Sequence, residues 1–137
     1  MAKINVISHR GANLVAPQNT LVAFKKSFEI GCDGVETDIH LTKDGVPVLC
    51  HNFTIDETSD GEGAIKNMTL EELLKFDFGS YRGEEFAGTK IPTFIEFLEM
   101  LKDYPEMTVN EYLNFVYELK GCTLNRKKHI MEVCEVT

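Results

Sequence analysis

The sequence predicts an α/β domain built on a parallel or mixed sheet, and three observations carry that prediction. A short apolar run at residues 4–8 has the length and composition of a buried strand. Leu21, Phe24 and Phe28 then recur at helical spacing. The runs GVETDI (residues 34–39) and VPVLC (residues 46–50) return to β-branched, strand-like composition. Strand, helix and strand in alternation favour a sheet whose ligands gather at the C-terminal ends of its strands.

The first strand runs into His9-Arg10-Gly11 and a polar loop with Pro17 and Asn19, which sets His9 just past a strand's C-terminal end. Asn19 or Thr20 is the candidate cap of the first helix, and Gly31 is placed to close it. In GVETDI, Val35, Thr37 and Ile39 alternate with Glu36 and Asp38, so an extended strand puts both carboxylates on one face, about 6.6 Å apart along the chain. Lys43-Asp44-Gly45 is a turn signal, after which VPVLC delivers His51 to the same region. Residues 52–68 are polar with Gly61 and Gly63 and read as a long loop. Thr69 with Glu72, and Thr93 with Glu96, have the spacing of capping boxes, each opening a helix. The second of these helices has Phe94, Phe97, Leu98 and Leu101 on one face.

Pro105 interrupts the chain. Beyond it a third capping box, Thr108 with Glu111, opens a helix with Gly121 as its stop, and a last helix is expected over residues 126–133. The end of the chain is thus helical where strand alternation would have predicted another strand.

A length of 137 residues suits one domain with a buried core. The formal net charge of −8 argues against general nucleic-acid or anionic-membrane binding. The beginning of the chain lacks the apolar core of a signal peptide, and no uncharged apolar run could span a bilayer, so a cytoplasmic protein is expected. Cys32, Cys50, Cys122 and Cys134 form no C-x-x-C pair and are expected to be reduced, packed thiols.

Glu36 and Asp38 are hard oxygen donors suited to Mg²⁺ or Ca²⁺, and a cation with open positions can hold a phosphate oxygen during displacement. His9 and His51 beside such a cation could serve as general base and general acid, each contributing a factor of about 10² to 10⁴. Arg10 could clamp a phosphate with its planar fork, and Gly11 lets backbone approach it closely. Each residue also has an ordinary structural reading. The carboxylates could be the solvated face of an edge strand, Arg10 a surface ion pair, and the histidines hydrogen-bonded residues at strand ends. His40 continues the acidic face with no assigned role, and His129 is expected on a solvent-exposed helix surface.

His9-Arg10-Gly11, Pro17-Gln18-Asn19-Thr20 with Ala23-Phe24, the stretch 31–38, Leu41-Thr42-Lys43-Asp44-Gly45, the stretch 48–51 and Ile91-Pro92-Thr93, in this order, resemble the glycerophosphodiester phosphodiesterase family. The resemblance covers residues 1 to about 104. It implies a TIM barrel with its active site at the C-terminal face, and divalent-cation-dependent hydrolysis of a glycerophosphodiester to glycerol 3-phosphate and an alcohol. It further implies that His9 and His51 are the acid–base pair, Glu36 and Asp38 the metal ligands and Arg10 the phosphate contact.

Departures accompany it. The family's Pro-Glu-Asn-Thr appears with Gln18, its His-Asp appears with Asn52, and a basic residue of the following loop is replaced within residues 56–59. A later glutamate–lysine pair of the family has no strand-borne counterpart; Glu118 and Lys120 match its spacing in a helical setting and read as coincidence. A barrel takes about 250 residues. The expectation is therefore an incomplete barrel, its amino-terminal half at residues 1–104, with a helical tail at 105–137. That tail resembles a piece of the helical subdomain of an ABC transporter ATP-binding protein, although the chain has no phosphate loop of the G-x-x-x-x-G-K-[ST] type. Open sheet edges in such a half barrel imply self-association. The alternative is a catalytically inactive truncated or chimeric fragment, acting at most as a phosphodiester-binding or interaction module.

Overall fold

The computed structural model describes residues 4–105. The third capping box, the last predicted helix and the other tail features lie outside the described residues. Strand β1 (Ile7–His9), helix α1 (Leu21–Glu29) and strand β2 (Gly34–Glu36) form a βαβ unit whose strands pair in parallel, with His9 opposite Glu36. Parallel neighbours need a crossover, and the helix supplies it.

Helix α1 starts where the sequence places it. The Thr20 hydroxyl accepts from the Ala23 amide, and Gly31 follows the last turn with a φ of 91°, a conformation that favours glycine. Its buried face is Ala23, Phe24, Ser27 and Phe28. Phe24 packs on Phe97 with ring centroids 4.8 Å apart, and Phe28 on Tyr104 at 4.6 Å. Full burial of Phe24 contributes about 2–3 kcal/mol, and truncation to alanine would cost about 3–5 kcal/mol because a cavity remains.

Strands β3 (Ile39–Leu41) and β4 (Pro47–Leu49) form an antiparallel hairpin with His40 opposite Val48. Its turn is held by side chains: the Thr42 hydroxyl donates to Asp44 and accepts from the Val46 amide, while Gly45 takes a φ of 80°. Among the described residues there are therefore two separate two-stranded sheets, one parallel and one antiparallel.

Both local capping boxes form. Thr69 with Glu72 opens α2 (Leu70–Leu73), and Thr93 with Glu96 opens α3 (Phe94–Leu101). The side chains of β4 alternate between two cores. Val48 joins Ile55, Ile65, Leu73, Phe78 and Ile91, whereas Leu49 joins Phe24, Phe94 and Phe97. One strand thereby ties the loop-rich segment after residue 50 to the α1–α3 layer.

Three expectations are corrected, the first being that the opening strand is buried: Ile7 and His9 are exposed and Ser8 is only half-buried. The first strand begins at Ile7, because the backbone of Val6 is tied to Asp33 instead: its amide donates to the Asp33 carboxylate at 3.0 Å and its carbonyl accepts from the Asp33 amide at 2.8 Å. GVETDI is not one strand. It stops at Glu36, Thr37 and Asp38 turn toward Asn19, and Ile39 starts the hairpin. The carboxylates of Glu36 and Asp38 thus reach one site across a strand end rather than along one face.

Candidate active site

The site lies where β1 and β2 end together. His9 is the last residue of β1, and its Nε2 is 3.9 Å from Oε2 of Glu36 on the neighbouring strand. Arg10 then leaves the strand in the left-handed region at φ 57°, with Gly11 following at φ 77°. This turn brings one residue against both acids. The Arg10 amide donates to Glu36 Oε2 at 3.2 Å, and the guanidinium Nε lies 3.7 Å from Asp38 Oδ2. A Cβ at Gly11 would stand 2.7 Å from the Cβ of Ala23, so only glycine lets the loop close on α1.

The loop supports the site from the other side. Arg10 Nη1 donates to Gln18 Oε1 at 2.8 Å, and Asn19 Nδ2 donates to Asp38 Oδ2 at 3.2 Å. Thr37 donates to Asn19 Oδ1 at 2.8 Å. Arg10 Nε is buried, makes no hydrogen bond among the described residues, and faces Asp38 Oδ2 at 3.7 Å.

His51 is tied to this cluster through backbone: the amide of Cys50 donates to the carbonyl of Asp38 at 3.1 Å. Its ring is held locally, with Nδ1 2.8 Å from Asn52 Oδ1, and Asn52 Nδ2 donates to Glu57 at 2.8 Å. His40, which had no role in the sequence, uses Nε2 on the His51 carbonyl at 3.1 Å and stacks edge-on against Phe53. His9, Arg10, Glu36 and Asp38 are thus brought together directly, and His51 arrives on the adjoining hairpin.

Spacing along the chain did not announce Gln18 and Tyr81 as partners. The Gln18 amide donates to the Tyr81 hydroxyl at 3.0 Å across 63 positions, and Arg82 donates to the carbonyl of Leu14. Burial pushes the Tyr81 hydroxyl above its ordinary range. Burial likewise raises Cys50, a free and buried thiol.

A resident cation fits the donor set in part. Glu36 and Asp38 offer carboxylate oxygens, and Glu36 Oε1 and Asp38 Oδ1 accept no hydrogen bond from the described residues. Mg²⁺ and Ca²⁺ accept such ligands and complete their shells with water or substrate oxygens. Among the described residues no cluster of three His, Cys, Asp or Glu side chains is arranged to hold a metal ion.

The sequence profile of the glycerophosphoryl diester phosphodiesterase family matches residues 9–134. The chain belongs to this family. The matched span opens on His9, takes in every residue of the cluster and runs past residue 105, where the sequence suggested a change of character. A glycerophosphodiester phosphodiesterase of Caldanaerobacter subterraneus is 50% identical over 101 residues, 74% of this chain and 42% of that protein. Glycerophosphodiester phosphodiesterase 1 of Homo sapiens is 36% identical over 121 residues, 87% of this chain and 34% of the human protein. The chain spans less than half the length of these relatives.

Among solved structures, a glycerophosphodiester phosphodiesterase from Agrobacterium tumefaciens superimposes with a TM-score of 0.71 at 34% identity, over 74% of this chain and 44% of that one. A phosphodiesterase from Oleispira antarctica, in complex with the product sn-glycerol-3-phosphate, gives 0.71 at 39% identity, over 74% and 41%. The α/β architecture is shared with this family of enzymes. No helix of the described residues is long and apolar enough to cross a membrane.

Proposed function

We propose that this chain carries a glycerophosphodiester phosphodiesterase site, hydrolysing a glycerophosphodiester to glycerol 3-phosphate and an alcohol in the cytoplasm. The observation that carries the reading is Arg10, which touches both Glu36 and Asp38 beside His9 while keeping a buried Nε–H without a hydrogen-bond partner among the described residues. In this reading Arg10 is the phosphate clamp, its fork held at the right angle by Gln18. Glu36 and Asp38 would hold Mg²⁺ or Ca²⁺. When bound, that cation offsets negative charge on the phosphoryl oxygens.

His9 and His51 divide the proton transfers. One takes a proton from the nucleophile as its bond to phosphorus forms, and the other gives a proton to the alkoxide as the ester bond breaks. Supporting the glycerophosphodiester as substrate are family membership and the likeness to the Oleispira antarctica enzyme in complex with its product.

The test is release of glycerol 3-phosphate from glycerophosphocholine and glycerophosphoethanolamine by the purified 137-residue chain, with Mg²⁺, with Ca²⁺ and with chelator. Cation-dependent product is expected, falling by about 10²-fold or more in His9→Ala and in His51→Ala. Folded protein that gives no product but binds glycerol 3-phosphate saturably would replace this reading with that of a phosphodiester-binding module.

A further inference from the structure

The hydrogen bonds around His51 form a chain whose direction is fixed from its far end. Glu57 is a carboxylate and can only accept, so the Asn52 atom 2.8 Å from its Oε2 must be the amide nitrogen. That turns Asn52 Oδ1 to the histidine, 2.8 Å from Nδ1. An amide oxygen also only accepts, so Nδ1 must carry the hydrogen, and the lone pair of the neutral ring is left on Nε2. Were Asn52 turned over, its oxygen would face a carboxylate with no hydrogen between them, and its amide would meet a ring nitrogen bearing the lone pair. The negative charge of Glu57 selects against that arrangement.

The backbone of the same residue is held independently. His40 Nε2 faces the His51 carbonyl, an acceptor, so it is the protonated nitrogen of His40 and donates at 3.1 Å. The edge-on contact of His40 with Phe53 braces the segment on its other side.

We propose that Glu57, acting through Asn52, is a positioning residue that holds His51 in the Nδ1–H tautomer and so makes Nε2 the atom through which its proton passes. This rests on the hydrolytic reading for its catalytic meaning, but the tautomer itself is a property of the folded chain. As base, Nε2 accepts the nucleophile's proton while the new O–P bond forms. In the acid role the ring starts doubly protonated instead, and Nε2 gives its proton to the leaving alkoxide while the old O–P bond breaks, leaving the Nδ1–H form. With Nδ1 already committed to Asn52, neither transfer has to wait for a ring flip.

The first readout needs no activity: long-range ¹⁵N–¹H correlation of the His51 ring in the full chain, recorded above the imidazole titration range. A pyrrole-type Nδ1 and a pyridine-type Nε2 are expected. Glu57→Ala should leave the fold intact, because Glu57 is exposed, and should give a mixture of tautomers. Adding Asn52→Asp to Glu57→Ala should restore the Nδ1–H form, since a carboxylate at position 52 accepts whichever way it turns. Turnover should follow the spectrum. Glu57→Ala should lower kcat about tenfold with KM within about twofold, and the double variant should recover most of the loss. A pyridine-type Nδ1 in the unaltered chain, or a Glu57→Ala spectrum identical to it, would overturn the proposal. The expected spectra without any turnover would instead sink the hydrolytic reading and leave the tautomer assignment standing.

Discussion

Asn19 shows how much of the site depends on one buried side chain. It is 2% exposed and sits at φ 54°, a left-handed conformation that asparagine tolerates better than most residues. From there its backbone amide donates to the carbonyl of Arg10 at 2.9 Å while its side chain joins Thr37 to Asp38. Asn19→Ala should therefore cost about 2–4 kcal/mol, because the Thr37 hydroxyl loses its acceptor and alanine disfavours the backbone angle. Asn19→Gly keeps the angle and should lose less, and urea midpoints of the two variants separate strain from hydrogen bonding. Gln18 makes a different contribution. Its side-chain oxygen accepts from Arg10 Nη1 at 2.8 Å and fixes the guanidinium, so Gln18→Ala should release the fork and weaken glycerol 3-phosphate binding by roughly tenfold, measured by calorimetry. An unchanged affinity would remove Gln18 from its assigned role as the support of that phosphate clamp.

Elements held by near neighbours were the ones legible in the sequence. The Thr69–Glu72 and Thr93–Glu96 boxes need contacts only three positions apart, so their spacing was enough. Thr93→Ala should cost about 1 kcal/mol in the denaturant midpoint. The segment from 52 to 90 was legible as far as its first part being loop. What orders it was not, because carboxylates there bond to backbone far along the chain, as when Asp60 accepts from the Asp77 amide at 2.7 Å. Asp77 is the strongest case. Its two oxygens accept from the amides of Gly79, Ser80 and Gly88 and from the Ser80 hydroxyl. These bonds, the Ser80 hydroxyl foremost, hold its carboxyl far below the ordinary value of 3.8. A depressed folded-state value means stability that is fully present above the ordinary carboxylate range and is withdrawn as pH falls through the lower folded value. Asp77→Asn should accordingly be destabilising at neutral pH, and its deficit should shrink as pH falls below 3.8. Urea midpoints of both proteins across that range test it, and a gap that stays constant with pH would assign the effect to shape rather than charge.

At the scale of the molecule, the chain's local periodicities described α1 and α3 well and marked the hairpin's turn and second strand, but its first strand, Ile39–Leu41, and the way β2 stops were hidden. That stop depends on where β1 ends and on Asn19 drawing in Thr37 and Asp38, both tertiary facts. Tertiary placement also leaves β1 with an unusual surface. Among the described residues it pairs with β2 alone, and Ile4, Val6 and Ile7 are 85%, 54% and 55% exposed. Apolar side chains beside an unpaired strand edge are a template for another strand, and proteins commonly guard such edges with lysine or a covering element. Nothing charged stands among Ile4, Asn5, Val6 and Ile7 to do this. The purified 137-residue chain should therefore self-associate, with a weight-average mass that rises with concentration in sedimentation equilibrium. Val6→Lys is the informative variant. The Val6 backbone is already held by Asp33 and its side chain is exposed, so a lysine there costs the fold little while placing a charge on the edge. The variant should shift the association toward monomer and leave the urea midpoint within about 0.5 kcal/mol of the parent. A parent chain that sediments as a monomer at all concentrations would mean that the edge is covered in solution, and Val6→Lys would then be expected to destabilise the fold instead.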